Sequence, residues 1–187
     1  MAVFLGNPGR QYDGTRHNAG FMAAEKAEEA AGARIDRLRF RSLTALAALG
    51  GERVLLQKPQ TFMNLSGDAV WEAMSFYKIP LGNIIVVSDD IALPLGALRI
   101  RGAGSSGGHN GLKDIMAKCG GEGFPRVKIG VGAPPENGGD VLDWVLSKFS
   151  SADIEAIDAV LERAVLAVEK IISSGVERAM NEFNTKR

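Results

Sequence analysis

The chain has 187 residues, 45% of them apolar and 24% charged, with 22 basic side chains set against 22 acidic ones. These proportions describe one ordinary folded domain and exclude disordered, fibrous and disulfide-stapled classes. Zero net charge excludes a molecule-wide basic field that would bind nucleic acid indiscriminately, but leaves local faces of one sign open. Bases gather at Arg34–Arg41, Arg99–Arg101 and Lys113–Lys128, and acids at Glu25–Glu29 and Asp153–Glu162. The first basic cluster reads as a solvated face. Cys119 is the single cysteine; it forms no internal disulfide and reads as a small buried apolar side chain in a reducing compartment. The N-terminus lacks the features of a signal peptide, and no run approaches the ~20 apolar residues of a membrane span. The expectation is a soluble cytoplasmic protein.

In chain order, Ala2–Leu5 reads as a strand running into the tight loop Gly6-Asn7-Pro8-Gly9. Asn18 to Ala31 has helical spacing, with Asn18 as N-cap. Leu43–Leu49 and Arg53–Gln57 flank Gly50-Gly51 as a hairpin, and Ser66 to Tyr77 reads as a helix with Asp68 in its first turn. Ile84–Val87 is a β-branched buried strand, Leu98–Arg101 a shorter strand, Asn110 to Cys119 a helix after a glycine-rich turn, and Val127–Val131 a further strand. Ala133–Gly139, with Pro134-Pro135 and Gly138-Gly139, reads as the start of a mobile loop or lid spanning 133–150. Ser151–Ser173 is a long amphipathic helix, and Val176 to Phe183 closes the chain as a shorter one. Strands alternating with helices, plus one hairpin, predict a single α/β domain over residues 1–187, built on a mixed sheet.

Polar residues concentrate at the predicted strand ends, where α/β sheets place their sites. Asn7 follows the first strand and His17 precedes the first helix; Asp89 and Asp90 follow Ile84–Val87; His109 and Asn110 follow the glycine-rich turn; Asn64 precedes another helix. One histidine or asparagine at such a point is usually a cap or turn residue, but several at successive strand ends form a candidate site. A neutral imidazole, with a pKa near ~6.5, takes a proton from water at neutral pH. A carboxylate behind it fixes its tautomer and stabilises the imidazolium. Asparagines bind amides or polarise carbonyls without charge. The set suits hydrolysis of an ester or amide by activated water, with His17 as base. Two histidines and one cysteine show no metal-ligand spacing, so neither a metal nor a cofactor is expected.

Two motifs compete with this reading. Gly102-Ala103-Gly104-Ser105-Ser106-Gly107 matches the dinucleotide fingerprint, and with it a nicotinamide oxidoreductase, but the strand before it is short and half basic. Gly104-Ser105-Ser106-Gly107-Gly108 matches a nucleophile elbow, but only His109 follows Ser106, too near to admit the intervening acid. A turn giving close backbone approach to a ligand accounts for these glycines better.

Four blocks in order resemble the bacterial-type peptidyl-tRNA hydrolase family. They are Gly6–Gly9 with Tyr12 and Thr15–Gly20; Lys58–Gly67; Ser88-Asp89-Asp90 with Leu93-Pro94; and Gly107–Lys113. The resemblance implies a three-layer αβα fold, with helices on both faces of a twisted mixed sheet. It implies hydrolysis of the ester joining a peptide to the terminal ribose of tRNA, by a monomer with no metal, cofactor or obligate protein partner. By the same resemblance His17 is the proton acceptor and Asp89 keeps it basic. Asn64 and Asn110 bind substrate, Tyr12 and Phe62 line the site, and Asn7 helps reject a free amino group. Arg101, Lys128 and Lys113 grip phosphate near the acceptor end. The chain departs from the usual pattern at Phe4, Ala92 and Lys128. An RNA-binding module on the same fold without catalysis is the alternative, and the intact His17 and Asp89 weigh against it.

Overall fold

A computed structural model describes residues 1–135 and 139–184. Seven strands form one mixed sheet in the order β2-β3-β4-β1-β5-β7-β6. They are β1 (Ala2–Phe4), β2 (Arg37–Arg39), β3 (Ser42–Leu49), β4 (Glu52–Pro59), β5 (Ile85–Asp90), β6 (Leu98–Arg101) and β7 (Arg126–Gly130). The central strands β4, β1, β5 and β7 run parallel, while β2, β3 and β6 pair antiparallel at the two edges. The parallel strands carry short apolar runs because both of their faces are covered.

Alternation along β1 divides the core. Ala2 and Phe4 face a layer made by α1 (Ala19–Ala31), α5 (Ile154–Ser174) and α6 (Val176–Phe183). Val3 and Leu5 face α2 (Ser66–Tyr77) and α3 (Asn110–Cys119). The result is a three-layer αβα arrangement. On α1, Ala23, Ala24 and Ala27 are fully buried, and such small side chains let the helix lie close to the sheet. Gly20 carries this furthest: a Cβ there would collide with the backbone of Leu5 and Val87.

Several boundaries differ from the sequence reading. Asn18 does not cap α1; its side chain instead accepts from Asn7 N–H (2.9 Å) and donates to the Asn7 carbonyl (3.0 Å). β5 runs on through Asp89 and Asp90, which end the strand rather than follow it. The long C-terminal helix starts at Ile154, three residues later than the polar run at Ser151 implied. Within the region expected to be a loop, Val141–Leu146 forms a short helix, α4, capped by Asp140; residues 136–138 of that loop lie outside the described residues. The unforeseen strand β2 turns into β3 through Phe40 and Arg41, both in the left-handed region (φ 54° and 48°). Two-residue hairpin turns need that conformation and usually take Asn-Gly to reach it.

The outer edge strand β6 is closed by a side chain. Asn184 accepts from Ile100 N–H (2.7 Å) and donates to the Ile100 carbonyl (3.0 Å), as a neighbouring strand would.

Candidate active site

The C-terminal end of β5, Lys128 of β7 and the N-terminus of α3 converge on one cleft of about 360 Å³. His17, Asp89, Asp90, His109, Asn110 and Lys128 all line it. The carboxylate of Asp89 organises its floor. One oxygen, Oδ1, lies 2.9 Å from His17 Nδ1 and 3.0 Å from His109 Nε2. An ionised carboxylate only accepts, so both nitrogens carry hydrogen and donate to it. The three side chains are almost entirely buried (11%, 3% and 8% exposed for His17, Asp89 and His109). Burial alone would raise the Asp89 carboxyl. The attraction and hydrogen bond of the His109 ring N–H, joined by those of His17, outweigh that and hold it well below the usual carboxylate range.

The two histidines are not equivalent. His109 is the N-cap of α3, and its Nδ1 accepts from Leu112 N–H (3.3 Å). Both of its ring nitrogens are therefore engaged. His17 spends Nδ1 on Asp89, and its Nε2 has no protein hydrogen-bond partner among the described residues. Of the two, only His17 keeps a lone pair to receive a proton.

The turn that carries His17 is fastened on several sides. Arg16 is buried beside it; its guanidinium donates to the Val131 carbonyl (3.2 Å), pairs with Asp153 (3.1 Å) and lies 4.0 Å over the Trp144 ring. Arg16 N–H also donates to the Ser147 carbonyl (3.0 Å). His17 is thereby tied to α4, whose Val141, Leu142 and Val145 form one wall of the cleft. Opposite stands the glycine-rich turn, where Gly104, Gly107 and Gly108 adopt positive φ. Buried Arg126 holds this turn by donating to the Ser105 carbonyl (2.7 Å) and reaches back to the Glu122 carbonyl (3.0 Å). The strand before the turn is the antiparallel edge β6, not the central strand that opens a dinucleotide-binding unit.

The remaining predicted residues are placed as follows. Asn7 is buried; its Oδ1 accepts from Met63 N–H (2.8 Å), which leaves its amide NH₂ as a donor. Asn64 lies exposed on the 3₁₀ turn Met63–Leu65. Tyr12 and Phe62 meet edge to face at 6.5 Å, with Phe62 53% exposed, but neither lines the cleft. Lys128 does line it, and its ammonium pairs with Asp90 at 2.7 Å. Arg101 at the end of β6 and Lys113 on the first turn of α3 are exposed and lie outside the cleft wall.

Reasoning from sequence placed His109 among the candidate polar residues without giving it a role, and it missed Arg16 and Arg126. A histidine opening a helix carries the ordinary signal of a cap, and His109 is one; its second bond, to Asp89, is invisible until the chain folds. His17, Asp89 and His109 also bring three ligand-capable atoms within 4.8 Å of one another, the one such group among the described residues. Their separations in the chain hid this grouping. A cation there would have to displace both N–H donations to Asp89.

A family profile described as "Peptidyl-tRNA hydrolase" matches residues 1–187. Among curated relatives, the peptidyl-tRNA hydrolase of Caldanaerobacter subterraneus subsp. tengcongensis is 51% identical over 180 residues, covering 96% of each chain. That of Thermoanaerobacter sp. is 48% identical with the same coverage. Among solved structures, the peptidyl-tRNA hydrolase of Acinetobacter baumannii superposes with a TM-score of 0.92 at 34% identity, over 100% of this chain and 94% of that one.

Proposed function

This chain belongs to the peptidyl-tRNA hydrolase family of enzymes, and on that footing we propose that it hydrolyses the ester between a peptide and the 3′-terminal ribose of tRNA, with His17 as general base and no metal. The observation that carries this reading is the division of labour at Asp89: its Oδ1 takes the Nδ1 proton of His17, and His17 Nε2 is left without a protein partner.

In this mechanism His17 Nε2 accepts a proton from a water in the cleft while the water oxygen attacks the ester carbonyl. Asp89 stabilises the imidazolium that forms, without taking its proton. Collapse of the tetrahedral intermediate breaks the bond to the ribose oxygen, and His17 returns the proton to that oxygen. Peptide acid and free tRNA leave. Asn110, at the mouth of the cleft, and Asn64 supply neutral donors for the carbonyl or peptide. Asn7 Oδ1 already accepts from Met63 N–H, so its free NH₂ favours a carbonyl oxygen over the ammonium of an unblocked aminoacyl group. Tyr12 and Phe62 flank the substrate, and Arg101, Lys113 and Lys128 meet its phosphates. Residues 133–150 act as a lid, supported by the contribution of α4 to the cleft wall. The reading extends to a monomer working in the cytoplasm without an obligate protein partner.

The test is hydrolysis of N-blocked aminoacyl-tRNA by wild type and His17→Ala. We expect turnover by wild type and a loss of about 10²–10⁴-fold in the variant. A wild type that binds the substrate but never turns it over would leave an RNA-binding module in its place. Dialysis against a chelator should leave the rate unchanged; a loss restored by a divalent cation would overturn the metal-free mechanism.

A further inference from the structure

The sheet is covered unevenly. Register places Arg37 beside Thr44 and Thr44 beside Gln57 on the face that carries α2. Gln57 donates to the Ala69 carbonyl of α2 (2.9 Å), so the helix lies over β4 there. Farther out, Leu46 of β3 is 44% exposed, on the floor of a groove of about 420 Å³. This groove shares no residue with the cleft.

Its walls are cationic. Arg34, Arg37, Arg39 and Arg53 line it, against one carboxylate, Asp36. Arg34, Arg37 and Arg53 have no ion-pair partner among the described residues. At one end an aromatic cluster begins. The Arg39 guanidinium lies 4.6 Å over Phe40 and 4.3 Å over Phe76, whose rings stand 5.3 Å apart. Phe76 is 57% exposed. In a protein of zero net charge this is a local concentration of one sign, on the basic segment that reads in sequence as a solvated face.

We propose that this groove is a second RNA-docking surface, in which Arg34, Arg37 and Arg53 hold backbone phosphates and the Phe40–Phe76 cluster offers a ring face to an unpaired base. Guanidinium forks match phosphate oxygens in bidentate geometry. Exposed rings at the end of a basic groove stack bases of any identity. An acidic polypeptide would satisfy the arginines but makes no use of the rings. The proposal rests on RNA being what this chain works on, and adds a contact remote from the reacting ester. The occupant is the body of the substrate tRNA, whose loops supply the unpaired base.

The experiment measures binding of deacylated tRNA and of a short oligouridine to wild type, to the triple variant Arg34→Gln/Arg37→Gln/Arg53→Gln and to Phe76→Ala. Anisotropy is read across a salt series, with thermal unfolding as the folding control. The triple variant should bind at least tenfold more weakly at low salt. Its plot of log K against log salt should be shallower by about 2–3, from three lost phosphate contacts at ~0.9 each. Turnover of a blocked aminoacyl ester of a short CCA oligonucleotide should not change. A loss on tRNA, deepened by Phe76→Ala, supports docking of the substrate body, and a loss on oligouridine with tRNA binding intact overturns it. Wild-type slopes on both RNAs overturn the proposal, as does a loss of polyglutamate binding with RNA binding intact. A wild type that turns over no substrate yet loses RNA in the triple variant would sink the hydrolase reading and leave the groove standing.

Discussion

The rings of His17 and His109 stand 5.0 Å apart, tilted by 52°, because both donate to the same oxygen of Asp89. One carboxylate thus sets the proton positions on two imidazoles, and each has a different use for its remaining nitrogen. Removing Asp89 should cost His17 its tautomer while leaving His109 its cap. For Asp89→Ala we expect a loss of about 100-fold or more in kcat, with the acid limb of the pH–rate profile displaced. A variant as fast as wild type would show that another acid serves His17.

His109→Ala should behave differently. It removes a cap worth about 1 kcal/mol and one of the two donors to Asp89. The melting temperature should fall by several degrees, and kcat by much less than in His17→Ala. Equal losses of rate in the two variants would mean that the histidines share the base role.

The depressed Asp89 carboxyl has a consequence for acid stability. A group whose folded pKa lies below its unfolded value contributes stability in full above the unfolded value, about 4 for a carboxylate, and loses it as pH falls toward the folded one. Urea midpoints measured from pH 6 downward should therefore fall more steeply for wild type than for Asp89→Asn, with the difference developing below about pH 4. Parallel curves would remove the electrostatic account.

Gly20 tests the seating of His17 and α1 from behind. A Cβ there meets backbone of β1 and β5, which cannot rotate away as a side chain could. Gly20→Ala should lower stability by about 3 kcal/mol, read from chemical denaturation. A loss below a few tenths would mean that α1 shifts freely.

The cationic residues near the cleft should separate by pairing. Lys128 already holds Asp90 at 2.7 Å, whereas Arg101 is exposed with no ion pair among the described residues. Arg101→Ala should make the salt dependence of tRNA binding shallower by about 0.9. Asp90→Asn should free Lys128 and tighten binding at low salt. Weaker binding in Asp90→Asn would show that the pair works as a unit.

Much of this architecture was legible where local chemistry and tertiary role agree. Gly50-Gly51 announces the β3–β4 hairpin, and the β-branched Ile84–Val87 announces a central strand. Polar residues after apolar runs located His17, Asp89 and Asn110, which the fold brings to one cleft. The misses share a physical cause: tertiary contacts overrode local preference. β2 was hidden because Phe40-Arg41 occupies a turn that ordinarily takes Asn-Gly, held there by rings packed on the end of α2. α4 was hidden behind the Pro134-Pro135 and Gly138-Gly139 loop signals. Asn18 had every local reason to cap α1, but answers the Asn7 backbone instead.

The hydrogen bonds from Asn184 to Ile100 bear on how the molecule behaves in company. An open sheet offers two rows of unpaired backbone groups to any passing strand. At β6, Asn184 occupies that row with a side chain from the last described turn of the protein. At β2, only three residues long, exposed Arg37 and Arg39 flank Leu38, and like charges would repel a copy of the same edge. The strand array is thus finite by construction, ended by an amide on one side and by repulsion on the other, and losing the C-terminal amide would expose a template for aggregation.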